Sequence, residues 1–266
     1  MKHDGLGPVT AIANQKGGVG KTTTSINLAA SLAALDKRVL LIDLDPQGNS
    51  TSGLGVNQGA VRRGTYGVLM GEGKLNDAII DTGCERLSLL PASMDLAGAE
   101  IELVSELGRE LRLAQAFSEY SGRAFDYVFI DCPPALSLLT VNALSASDHV
   151  MVTLQTEFYA MEGLTQLMDS IRRIRQALNS SLTMEGILLT MVDSRNRLSA
   201  QVEEDVRSYF GSQVYTNTIP RNVRLSEAPS FGVPVMYHDV RSKGAQAYLI
   251  VAQEFMHRRA ISVGSG

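Results

Sequence analysis

Short, continuous apolar runs rich in β-branched residues alternate along this chain with longer segments whose apolar positions recur at helical spacing. The short runs are Val9–Ala13, Val39–Ile42, Leu87–Leu90, Tyr127–Ile130, Val150–Leu154 and Gly186–Met191. Unbroken apolar character, in place of strict alternation, marks strands buried on both faces. Thr22–Leu35, Leu138–Ala146, Met161–Leu178, Leu198–Phe210 and Gly244–His257 carry the helical period. The alternation predicts an α/β chain, a single-domain doubly wound, mainly parallel sheet with helices on both faces. Gly48–Gly73, glycine-rich and polar, is expected to be a surface loop with one short helix. No repeat, low-complexity tract or linker interrupts the pattern. Residues 9–258 therefore form one expected domain, with a short tail at 1–8 and a flexible tail at 259–266.

Composition narrows the picture without changing it. A chain of 266 residues with 44% hydrophobic and 20% charged positions is of ordinary globular character and can bury a sizeable core. The formal net charge is −4, so contact with nucleic acid would have to come from a local basic patch. Only two cysteines occur, Cys84 and Cys132, far apart and without metal spacing. They fit a reducing, cytoplasmic compartment and exclude a disulfide framework. No apolar run approaches the roughly 20 residues of a membrane span. Met1–Pro8 lacks the basic-then-apolar order of a signal peptide.

Candidate chemistry begins between the first strand and the first helix, at Asn14-Gln15-Lys16-Gly17-Gly18-Val19-Gly20-Lys21-Thr22-Thr23. Glycines let the backbone turn its N–H groups inward as a nest for phosphate oxygens, and the following helix adds its positive end at the same point. In such a loop Lys21 reaches the β- and γ-phosphates, and the Thr22 hydroxyl is a magnesium ligand. The match to the general phosphate-loop pattern is incomplete. Gly20, Lys21 and Thr22 fit, Gln15 occupies the first glycine position, and Lys16 adds a second lysine.

Two further strands end in a carboxylate followed by proline: Ile42-Asp43-Leu44-Asp45-Pro46-Gln47-Gly48-Asn49 and Ile130-Asp131-Cys132-Pro133-Pro134. Ligands of doubly wound sheets bind at the carboxyl edge of the strands, so these aspartates can face the phosphate loop and serve a magnesium ion. The ordinary alternative is that they cap the next helix.

The Lys16-to-Thr23 string resembles the deviant Walker A ATPases, the P-loop superfamily of ParA, MinD and the nitrogenase iron protein. The segment Pro220-Arg221-Asn222-Val223-Arg224-Leu225-Ser226-Glu227-Ala228-Pro229-Ser230 is similar to chromosomal ParA proteins, and the resemblance runs from Ala11 to about Tyr248. It implies a slow, magnesium-dependent ATPase in which Gly17, Gly18, Val19, Gly20, Lys21, Thr22 and Thr23 hold ATP. Lys16 then crosses a homodimer interface to the partner's nucleotide. Asp131 takes the Walker B role beside Mg²⁺, and Asp45 orients the attacking water and touches the metal shell. Asp43 serves that shell or the strand end. Pro220, Arg221 and Asn222 bound the adenine ring. Arg195 and Arg224 contact double-stranded DNA without sequence preference, which places the protein at the nucleoid. A ParB-like partner stimulates hydrolysis.

Competing expectations exist for several of these residues. Arg195 and Arg224 could simply pair with Glu203, Glu204 and Glu227 on a solvated face. Arg172, Arg173 and Arg175 form a second basic cluster of the same kind. A MinD-like membrane-associated ATPase would need a terminal amphipathic helix with basic and bulky apolar faces. The end of the chain, Glu254 to Gly266, runs out in small residues. An iron-protein role would need four cluster ligands, and one chain supplies two cysteines. About eight residues precede the first strand, too few for a helix-turn-helix.

Overall fold

All residues of β1 (Val9–Ala13), β2 (Val39–Asp43) and β4 (Leu87–Leu90) are buried, as their unbroken apolar runs require. The computed structural model describes residues 5–264. Among these, β3 (Ile80–Asp81), β5 (Tyr127–Asp131), β6 (His149–Gln155) and β7 (Thr183–Thr190) complete one seven-stranded sheet in the order β3-β4-β2-β5-β1-β6-β7. All neighbours are parallel except β3 with β4.

The helices cover both faces. One face packs against α3 (Thr65–Met70), α5 (Leu96–Glu102), α6 (Arg112–Ser118), α7 (Leu138–Ala146) and α8 (Ala160–Ala177). The other packs against α1 (Lys21–Ala34), α10 (Val223–Glu227), α11 (Val235–His238) and α12 (Lys243–Gly264). Three further helices are α2 (Asn49–Gly53), α4 (Leu75–Ala78) and α9 (Arg197–Phe210). Because β1 lies between β5 and β6 while the chain from β1 passes first to β2, the loops after β1, β2 and β5 emerge side by side at the carboxyl edge.

Several expectations are corrected. Gly48–Gly73 holds two α-helices and a 3₁₀ turn, and it is not wholly a surface loop. Ser50, Thr51 and Thr65 are buried because their hydroxyls serve the carboxyl ends of β2 and β5. Strand β7 begins at Thr183, before Gly186, and the polar Glu185 that hid this extension is held in a buried ion pair with Arg259 at 2.8 Å. Gly186 lies where a Cβ would stand 2.7 Å from the Tyr215 ring, so the close approach of that ring needs glycine.

The tail expected at 259–266 is α-helical through Gly264 as the end of α12. Arg259 is buried, bonding Glu185 on β7 and the Thr10 hydroxyl on β1. Residues 265–266 lie outside the described residues. At the other end, 1–4 lie outside them too, and Gly5–Pro8 is docked on the strand entering β5. The Gly7 N–H donates to Phe125 O at 3.0 Å, Phe125 N–H donates to Gly5 O at 2.9 Å, and Leu6 is buried.

Candidate nucleotide site and arginine loops

The loop after β1 is braced before it is functional. Asn14 donates its side-chain amide to Thr153 O on β6 at 2.6 Å and accepts the Lys16 N–H at 2.9 Å, which fixes the loop's entry. Gly18 and Gly20 take φ of +75° and +85°, a region that favours glycine. Gly20 stands at the N-cap of α1 and supplies no side chain, so no side chain caps the first-turn N–H groups of that helix. Uncapped donors at the positive end of a helix are a ready anion site. Lys21 is buried above it, and its ammonium donates to Lys16 O at 2.9 Å. Burial lowers its pKa, while the charges of Asp131 and Asp45 draw it back up.

Three carboxylates meet this loop at the ends of β2 and β5. Asp43 and Asp131 are register partners, both fully buried. Asp131 accepts from the Ser25 hydroxyl at 2.9 Å and from Ser50 at 2.8 Å. Burial pushes its pKa up, the Ser50, Thr22 and Ser25 hydroxyls push it down, and the Asp45 charge adds to the rise. Asp43 is also held above the ordinary carboxyl range, by burial first and by Asp131 second. Its acceptors are spent on the Asp45 N–H at 3.2 Å and on Thr51, whose N–H and hydroxyl both lie at 2.7 Å. Those contacts tie Asp43 to the Asp45 backbone and to Thr51 at the end of β2. Asp45 is different: one oxygen accepts the Gln47 N–H at 2.9 Å, and the other takes no hydrogen bond among the described residues.

Among the described residues no group of three or more His, Cys, Asp or Glu side chains could hold a metal by itself. A magnesium ion would fit here only as such ions usually sit at phosphates, with Thr22 and the Asp45 and Asp131 carboxylates supplementing substrate oxygens and water.

Pro220, Arg221 and Asn222 line a cavity of about 200 Å³ together with Gly20, Thr23 and Tyr248. Tyr248 reaches from α12 to the Thr24 hydroxyl at 3.0 Å, which joins the end of the chain to α1. Met191 borders the same cavity with φ +51°, a costly conformation for a non-glycine residue. A larger cavity of about 470 Å³ opens between α3, α4 and α6, with Arg63, Lys74 and Glu119 in its wall, and it contains none of the expected site residues.

Lys16 stands exposed at the mouth of the loop and pairs within its own chain with Glu157, just beyond β6. Arg195 is 88% exposed and forks onto Asp193 through Nε at 3.0 Å and a terminal nitrogen at 3.1 Å. It does not pair with Glu203, which holds Arg207. Arg224 pairs with Glu227 at 2.7 Å and Asp239 at 3.4 Å. The two arginine loops are joined by a bridge between Val192 and Pro220. In the second basic cluster, Arg172 pairs with Asp169.

Asn14, Ser25, Ser50, Thr51, Glu157 and Tyr248 are the contributors that sequence reasoning missed. Asn14 adjoins the glycine loop and could have been suspected. The partners of the others are brought by the fold from distant strands, with no local signal.

Comparison with known proteins agrees with this geometry. The family described as AAA domain matches residues 7–184. The chain is 53% identical to the sporulation initiation inhibitor protein Soj of Bacillus subtilis, over 94% of this chain and 98% of that one. It is 54% identical to the chromosome partitioning protein ParA of Caulobacter vibrioides, over 94% of each. A cobyrinic acid a,c-diamide synthase from Mycobacterium smegmatis, solved with bound ADP and magnesium, superposes with a TM-score of 0.83 at 38% identity, covering 96% of both chains. The septum site-determining protein MinD of Pyrococcus horikoshii, at 24% identity and a TM-score of 0.75 over 94% of this chain and 96% of that one, shares the fold. With relatives this similar along almost its whole length, the chain belongs to the Soj/ParA family of chromosome-partitioning ATPases within the ParA/MinD superfamily.

Proposed function

We propose that the protein hydrolyses ATP to time an association with DNA. The observation that carries this reading is the convergence of an uncapped helix N-terminus, a buried Lys21 and a half-free Asp45 at one sheet edge. Gly17–Thr23 cradle the phosphates, Lys21 neutralises them, and the 220–222 segment with Tyr248 bounds the base. Mg²⁺, when bound, supplies neutralisation of the phosphate charge. Thr22 and Asp131 face it, and Asp45 orients water through its unpartnered oxygen. Phosphoryl transfer to water asks mainly for positioning and charge, so no nucleophilic side chain is required. One carboxylate as the sole positioning group gives slow turnover.

Lys16 leaves Glu157 and reaches the nucleotide of a second copy, so ATP stabilises a sandwich dimer by contacts that the monomer lacks. The exposed Arg195 and Arg224, doubled by dimerisation, then hold DNA phosphates without reading bases. Hydrolysis, accelerated by a ParB-like partner, ends the association. The protein is accordingly nucleoid-associated.

The membrane-bound alternative finds little support. That alternative would need a terminal helix presenting a basic face, and α12 instead buries Arg259 against Glu185.

Asp45→Ala tests the core of this reading. The variant is expected to bind ATP, to dimerise by sedimentation, and to release no phosphate above background. Phosphate release at the normal rate would remove Asp45 from the mechanism.

A further inference from the structure

A single carboxylate oxygen in the second arginine loop faces two basic side chains. Glu227 Oε2 accepts from Arg224 Nη1 at 2.7 Å and lies 3.5 Å from His238 Nε2. Arg224 and Glu227 stand on α10 and His238 ends α11, so the fold brings the histidine to the pair. The Arg224 side chain is 51% exposed, and its Nε has a looser second partner in Asp239 at 3.4 Å. His238 is 16% exposed, and its ring rests against Phe231 with the centroids 4.7 Å apart.

The charges around the imidazole come from few places. Glu227, with Arg224 beyond it, is presented by α10, and Asp239 follows His238 directly. The 3₁₀ turn Ala228–Phe231 contributes the uncharged Phe231 ring. Helix α1, packed against α11, has no charged residue after Lys21. Helix α12 opens at Lys243, two residues beyond Arg241, and neither side chain pairs with His238 among the described residues. From the turn before β4, Cys84 and Glu85 bear on the adjacent Tyr237. The hydrogen bond from Arg224 holds the Glu227 carboxyl below its usual range, with desolvation opposing and His238 adding to the fall. Glu227 therefore keeps its charge across the range where histidines titrate, between about pH 5 and 8.

We propose that His238 is a pH-sensitive positioning residue for Arg224: protonated, it takes Glu227 Oε2 and frees the arginine for DNA phosphates, and neutral, it leaves that oxygen to Arg224. A protonated imidazole donates from both ring nitrogens. Arg224 then loses its shorter bond and keeps the looser Asp239 contact. DNA affinity accordingly rises as pH falls through the histidine range. The switch rests on the DNA reading of Arg224 above, and the exchange of partners at Glu227 does not.

The test uses the full chain saturated with a slowly hydrolysed ATP analogue. Fluorescence anisotropy of a labelled non-specific duplex reads affinity at about pH 6, 7 and 8, at constant ionic strength. Exposed ion pairs are weak singly and count twice in a dimer, so binding about three- to tenfold tighter is expected at the lowest pH than at the highest. His238→Gln should bind throughout as the natural chain does at the highest pH. Glu227→Gln should bind tightly and equally across the range, since Arg224 then has no contested partner. Arg224→Gln should bind weakly, without pH dependence. Binding by the natural chain that ignores pH would overturn the proposal, as would an undiminished pH dependence in His238→Gln. The same dependence surviving in Arg224→Gln would overturn it too, making His238 a phosphate contact in its own right. Should the duplex bind at no pH, the DNA reading of Arg224 fails, and the nitrogen-15 NMR signal of Arg224 Nε still decides the exchange of partners. That signal is expected to move with pH in the natural chain and to stay fixed in His238→Gln. A signal fixed in both would refute the exchange.

Discussion

Cutting the chain after Arg258 removes a residue that the structure places under the sheet. Arg259 is 8% exposed, and it pairs with Glu185, donates to Thr10 at 2.9 Å and lies over the Phe255 ring. Breaking one side of a buried pair leaves the other charge without a partner, at a cost of about 3–5 kcal/mol. Two features pull this toward the lower end. Glu185 keeps the Tyr215 hydroxyl at 2.9 Å, and Arg259 Nε has no acceptor among the described residues, so the pair is imperfectly compensated to begin with. About 3 kcal/mol in a domain of this size corresponds to a melting temperature lower by roughly 6–12 °C. Urea and thermal melts of the full chain, the truncation and Arg259→Met measure it. Adding Glu185→Gln to Arg259→Met should recover part of the loss, since removing both charges leaves none stranded. A truncation that costs less than about 1 kcal/mol would refute the reasoning and restore 259–264 to the status of a loose tail.

Further outcomes follow from the same geometry. Lys21→Ala should abolish nucleotide binding by calorimetry, and unchanged affinity would sink the phosphate-loop assignment. Arg195→Glu should lose DNA binding while keeping ATP-dependent dimerisation. Each phosphate contact adds about 0.9 to the log–log salt slope, so binding insensitive to salt would count against the arginine loops. The Asp43–Asp131 pair makes stability pH-dependent. Both folded-state pKa values lie above the usual 3.8, so their stabilising contribution is complete below that value and is lost as pH rises through the raised ones. Asp131→Asn should therefore flatten the decline of the nucleotide-free melting temperature between about pH 4 and 8. An identical slope in the two proteins would contradict the burial argument.

How much of this was legible in advance depends on the range of the interactions. Val39–Ile42 and Lys16–Thr23 carry their structure locally, in unbroken apolar character and in glycine spacing, and both lie where the sequence places them. Thr51, Ser50 and Ser25 carry no such mark, because their meaning comes from Asp43 and Asp131 on other strands. Glu185 argued against a strand until Arg259 arrived from the end of the chain to neutralise it. The stretch around α5 failed for another reason. Its buried Leu96 and Ala99 share a seven-residue helix with exposed Ile101, and the apolar Leu103, Val104 and Leu107 fall in the turn beyond it, so no helical period stands out. For the arginines, the sequence named the residues and one of the pairs formed, Arg224 with Glu227, but neither Asp193 nor Asp239 as a partner. Arg195 and Arg224 are exposed, and in the single chain each is held by nearby carboxylates.

Under the proposed function, nucleotide state switches an association with DNA. The most direct test is the affinity for a non-specific duplex measured with no nucleotide, with ADP and with a slowly hydrolysed ATP analogue. Salt-sensitive binding is expected with the analogue alone. Equal affinity in all three states, or none in any, would contradict it.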